Sequence, residues 1–166
     1  MKPLALACLA LIILPTSAES KSQPEIVAVG QGAEVQQWVA AVSRQIDGTL
    51  DYPYVFCEPT PSGGVSVNFR RSESGAPYAI QVVRTSGNIL LDRAAMSAIR
   101  RIKMLQPLPA SIGSDQMFRA NIVFAIDEKT LAREEQALRI ASARDLETSP
   151  PGQTRPIQLA LAISHD

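Results

Sequence analysis

Residues able to do chemistry are few in this 166-residue chain, and they are scattered. The one histidine, His165, is the penultimate residue, and the cysteines, Cys8 and Cys57, belong to no His/Cys/carboxylate cluster with metal-ligand spacing. No nucleophile has an identifiable base, and no glycine-rich phosphate loop follows a strand. The reading is therefore a non-enzymatic protein with no catalytic residue, no metal site and no cofactor. Asp92 is the best-placed carboxylate, but it sits where a helical pattern starts, and a negative charge there is explained by the helix dipole. Arg70, Arg71, Arg84, Arg93, Arg100 and Arg101 could form a surface patch, with an ordinary solvated face as the default. Sixteen basic and sixteen acidic residues give a formal net charge of zero, which leaves no electrostatic footprint for nucleic acid and no basic run for anionic lipid. The remaining binding chemistry is that of the backbone, so the elements decide.

They centre on residues 64–127. Val65, Val67 and Phe69 alternate with Ser66, Asn68 and Arg70, the pattern of a half-buried strand. After a turn-rich loop at 71–77, a second alternating segment runs over 78–85 with Ile80 and Val82 on one side, which predicts a hairpin. From Leu90 the spacing becomes helical, with Leu91, Ala95, Ala98 and Ile102 on one face and Arg93, Arg100, Arg101 and Lys103 largely off it. Pro107 and Pro109 forbid continuation. A third strand then sets Phe118, Ala120, Ile122, Phe124 and Ile126 against Met117, Arg119, Asn121, Val123 and Ala125. The expected fold class is α+β: a three-stranded antiparallel sheet in the order 2-1-3, packed on two helices, with a charged C-terminal helix and an extended tail. The first strand is central, a right-handed crossover joins the second to the third, and the third is left as an open edge.

These residues resemble the C-terminal domain of the TonB/TolA superfamily of energy-transducing periplasmic proteins. The matching features are Tyr52-Pro53, the run from Gly64 to Phe69, the Ser86-Gly87 turn, the run from Leu91 to Ile99, Pro107-Leu108-Pro109, and Ile122-Val123-Phe124. The resemblance covers roughly the middle half of the chain. It implies a module that takes a peptide segment of an envelope or outer-membrane receptor by strand addition, with Phe118, Arg119, Ala120, Asn121, Ile122, Val123 and Phe124 as the partner-binding edge.

The flanks complete the organisation. Residues 1–18 combine a lysine, a short apolar run and a small-residue Thr16-Ser17-Ala18 site, which predicts a cleaved signal peptide, export to the periplasm and no membrane anchor; a retained leader would instead place the protein at the inner membrane. Residues 19–32 read as a flexible leader, in which Glu25 to Gly30 is similar to the TonB box of outer-membrane receptors. An amphipathic helix over 33–46 puts Val35, Trp38, Val39, Val42 and Ile46 on one face, with Trp38 as a core anchor. The TonB-like domain is placed at 33–127, a charged and largely solvated helix at 128–147 with Leu131, Leu138 and Ile140 as its few large apolar anchors, and a linker and extended tail at 148–166. In the tail, Ile157, Leu159, Leu161 and Ile163 alternate with Gln158, Ala160, Ala162 and Ser164, a strand pattern outside the core unit. It is expected to add to the sheet, in this molecule or a neighbour, and to compete with an external peptide. The alternative function is a TolA-like or self-associating structural envelope protein, a homodimer included, whose own tail fills the edge.

Overall fold

A computed structural model of the chain describes residues 32–53, 59–103, 105, 108–148 and 154–164. The expectations about the leader, the segment from Glu25 to Gly30, Cys57 and His165 lie outside these residues.

α1 (Ala33–Asp47) forms where the apolar spacing places it, burying Val35, Trp38, Val39, Val42 and Ile46 along one stripe. β1 (Gly63–Arg71) and β2 (Pro77–Arg84) pair antiparallel across a turn that Ser72 ties to Ala76 in both directions. α2 (Ile89–Arg100) starts at Asn88, whose Oδ1 accepts from the Leu90 amide at 2.9 Å and the Leu91 amide at 3.4 Å, so two of the helix's unpaired donors are met. It buries Leu91, Ala95, Ala98 and Ile99. β3 (Met117–Ala125) pairs antiparallel with β1, which is thus central to the hairpin and β3 alike. Phe118, Ala120, Ile122 and Phe124 point into the main core with Val65, Val67, Phe69 and Trp38. Ile126, expected on that face, lies beyond the end of β3 and is 42% exposed.

The sheet differs from expectation at its third strand. It is four-stranded and mixed, in the order β2-β1-β3-β4, and β4 (Ile157–Ser164) lies parallel to β3. The tail segment therefore joins the sheet within this molecule, and β3 is an interior strand rather than an open edge. The driving force is visible in the burial of Ile157, Leu159 and Leu161, which extend the main core beneath α1.

The charged helix α3 (Glu128–Thr148) is largely solvated, as expected, and two of its three expected anchors hold it to the face of the sheet opposite α1 and α2: Leu138 joins Val123 and Ala125, with Leu131 and Ala162 packed against them, while Ile140 is exposed. Gly64 permits this approach, since a Cβ there would stand 3.1 Å from Cγ and Cδ1 of Leu138. Gly64→Val should therefore destabilise the protein by about 1–3 kcal/mol through overpacking. An unchanged urea midpoint would mean that α3 does not rest on β1.

Asp127 caps α3 by accepting from the Thr130 amide at 2.6 Å, and this bond, helped by the Thr130 side chain, holds its pKa below the ordinary carboxylate value. A depressed folded-state pKa means that the cap contributes fully above the unfolded value of 3.8 and is lost as pH falls through the lower folded value. Amide exchange at the start of α3, corrected for its intrinsic pH dependence, should accelerate on acidification below that point, and Asp127→Asn should flatten the effect. Identical profiles for the two proteins would refute it.

β2, β3 and β4 all run in the same direction, because β1 is antiparallel to β2 and β3 while β4 is parallel to β3. The α2 and α3 connections both advance the same way across the sheet but cross opposite faces, so they have opposite hands. Only one of them can have the right-handed sense that strand twist favours. Among the described residues, no helix is long and apolar enough to cross a membrane.

Candidate functional site

The strand expected to bind a partner, from Phe118 to Phe124, is brought together as one continuous element, but its side chains are not a surface. Phe118, Ala120, Ile122 and Phe124 are core residues, Val123 is buried under α3, and Asn121 is 9% exposed. What β3 can offer is its backbone. One side bonds to β1 from Met117 to Phe124; the other bonds to β4 from Phe118 to Ala125 without a break in register.

The opposite end of the sheet is a different kind of edge. β2 pairs with β1 through two register shifts, and Ala79 sits at φ +49° beside one of them. Such bulges twist an edge strand away from further pairing. At the other end the pairing of β4 with β3 is regular.

Polar side chains on the α3 face tie β4 into place. Ser66 donates to Asn121 Oδ1 at 2.8 Å, and Asn121 Nδ2 donates to Gln158 Oε1 at 2.8 Å, a chain across β1, β3 and β4. Arg119 donates from Nε to Asn68 Oδ1 at 2.8 Å and pairs with Asp145 of α3. Gln116 donates to the Arg155 carbonyl at 2.7 Å, just ahead of β4. Sequence reasoning missed that Ser66, Asn68, Gln116, Asp145 and Gln158 pair across these elements. One hint was present: Gln158 is the one large polar residue in an otherwise aliphatic and small-residue segment.

The other chemistry-bearing residues have local tasks. Asp92 accepts from the Ser86 amide at 2.9 Å, from Ser86 Oγ at 2.8 Å and from Thr85 Oγ1, clamping the turn that Gly87 makes possible at φ +86°. Arg70 pairs with Asp115, which raises the guanidinium pKa. Arg84 donates to the Ala137 carbonyl at 3.1 Å, and Arg101 reaches Asp51 at 3.2 Å. Three of the six arginines are thus committed to separate neighbours. Among the described residues, no three His, Cys, Asp or Glu side chains are grouped closely enough to hold a metal ion.

The stretch from Thr49 to Ile126, which holds β1, β2, α2 and β3, matches the family described as Gram-negative bacterial TonB protein C-terminal. Residues 49–126 are thus similar to a TonB C-terminal domain. Domains of this family are non-enzymatic interaction modules of envelope transport that engage outer-membrane receptors. A solution structure of the TonB C-terminal domain of Helicobacter pylori is similar, at 23% identity over 52% of this chain and 90% of that one, with a TM-score of 0.43. No curated protein matches the chain. The match to the TonB family ends before α3, so β4 reaches the TonB-like domain from outside the matched stretch.

Proposed function

We propose that the protein is a periplasmic interaction module that binds a peptide segment of an outer-membrane receptor or other envelope transport protein by parallel strand addition to β3, in the place that β4 occupies. The observation that carries this reading is β4 itself. A segment from outside the TonB-like domain makes an unbroken eight-residue pairing with β3, so this side of β3 accepts an added parallel strand. The 1–18 leader exports the chain, 33–127 is the binding domain, and 128–166 supplies a helix and an occupant of its own.

Energetics make β4 a competitor of the right size. A short added strand gains about 0.5–1.5 kcal/mol per backbone hydrogen bond, against association costs of about 4–15 kcal/mol for a free peptide. A tethered strand escapes most of that cost, since its effective concentration reaches the millimolar range. An external segment therefore needs favourable side chains or a tether of its own.

A photo-crosslinker at Arg119 or Val123 tests the reading in cells, with the crosslinked segment mapped and a synthetic copy of it used as competitor. Binding on β3 predicts crosslinks to an extended segment of an envelope protein, removed by the competitor. Crosslinks from Tyr78 and Val83 on β2 but none from β3 would contradict it.

A second reading is favoured by the same pairing seen differently. With β4 in place β3 is paired on both sides, which suits a self-contained or TolA-like structural envelope protein. β4 that stays bound to β3 in the presence of every partner would select this reading.

A further inference from the structure

Backbone pairing is blind to sequence, so something else must choose which strand lies on β3 and in which register. The apolar face alone does not choose a register. Ile157, Leu159, Leu161 and Ile163 are spaced by two, and a slip of two residues would keep large aliphatics inside. The other face is selective. Asn121 is buried, its Oδ1 is taken by Ser66, and its remaining amide group is met by Gln158. Gln158 is in register with Arg119 and reaches diagonally to Asn121, while Ala160, directly opposite Asn121, is exposed and offers only a methyl group. Farther along, Ala162 packs against the cluster of Val123, Ala125 and Leu138, where there is room for a small residue.

We propose that Asn121 is a specificity-determining residue. It selects for β3 a parallel strand of the form aliphatic, Gln or Asn, aliphatic, any residue, aliphatic, small, as Ile157 to Ala162 supplies. This names the class of partner segment and rests on the strand-addition reading above. A side-chain amide both donates and accepts, so it can satisfy Asn121 whichever way that amide is turned. An aliphatic residue at the same place leaves a buried amide group without a partner. A slip by one residue brings Leu159 or Leu161 opposite Asn121 and sends Gln158 into the apolar core; a slip by two in one direction carries Gln158 out of reach, and in the other sets it opposite Asn121 but puts Arg155 against Phe118 in the buried place of Ile157. The correct register alone satisfies both faces.

The test uses the full chain and compares hydrogen exchange of the β4 amides in the wild type, Gln158→Leu, Gln158→Asn and the pair Asn121→Leu/Gln158→Leu. Leucine has strand propensity at least as good as glutamine's, so packing alone predicts unchanged or slower exchange in Gln158→Leu. The ladder predicts exchange faster by roughly tenfold or more, the effect of stranding a buried amide, with recovery in the paired variant, where both partners become apolar. Gln158→Asn should stay close to wild type. Unchanged exchange in Gln158→Leu, or no recovery in the pair, overturns the inference.

A second arm offers the Gln158→Leu chain, its own β4 loosened, two labelled peptides of residues 154–164, one natural and one with leucine at the Gln158 position. Binding of the natural peptide tighter by about tenfold or more agrees with the ladder. Equal binding overturns Asn121 as a selector and leaves strand addition standing. Failure of both peptides to bind a chain whose β4 exchanges fast overturns strand addition itself, and the inference with it.

Discussion

Phe118→Ala should lower the unfolding free energy by about 3–5 kcal/mol, the usual cost of emptying a large aromatic site in a core. Phe118 is 1% exposed, its ring centroid stands 5.0 Å from that of Trp38 and 5.6 Å from that of Phe69, and its backbone pairs with Phe69 on one side and Ile157 on the other. It therefore joins α1, β1, β3 and β4. A loss of that size is a large share of the roughly 5–15 kcal/mol that holds a small domain together. Equilibrium urea unfolding measures it. A loss below about 1 kcal/mol, the range of surface changes, would mean that the faces of β3 are reversed.

Leu159→Ala should move stability and binding in opposite directions. Leu159 is fully buried on β4, and truncating such a side chain costs roughly 2–5 kcal/mol. It belongs to the segment that an incoming strand must replace, so the weakening falls on the competitor. Affinity for an external strand should rise by at least about tenfold, since each 1.4 kcal/mol is worth that factor. The paired measurements are a urea titration and a peptide titration of the same variant. Affinity that falls together with stability would show that the partner needs β4 in place.

Much of the fold is legible in the sequence because each of its central elements carries a single periodicity. α1, β1, α2 and β3 each carry a regularly spaced row of apolar residues on the core side, and Val35, Leu91 and Phe124 are buried as that patterning requires. α3 is harder to read for a physical reason. Among its described side chains Leu131 and Leu138 meet the sheet, against Gly64, Ala125 and Ala162, and small residues leave no periodic signature. Its charged surface reads as solvation.

β4 shows the limit of strand patterning. Alternation from Ile157 to Ile163 identifies a strand but names neither its neighbour nor its direction, and both depend on how far α3 carries the chain. The stretch from Phe118 to Phe124, expected to bind a partner, is placed correctly as a strand, while its expected openness is not, because openness belongs to the whole sheet. The polar ladder is illegible for the same cause. Ser66, Asn121 and Gln158 lie 55 and 37 residues apart in sequence, and only the assembled sheet puts them in line.

The most direct test of the central claim, that an external strand replaces β4 on β3, is a nuclear magnetic resonance titration of isotopically labelled full-length Leu159→Ala with an unlabelled peptide of residues 154–164. The account predicts that the amide resonances of the protein's own β4, from Gln158 to Ile163, move to unfolded positions as the peptide saturates. Contacts should appear between the peptide and the amides of Arg119, Asn121 and Val123. Peptide that binds along β2, or along the outer side of a β4 whose resonances stay in place, would contradict it.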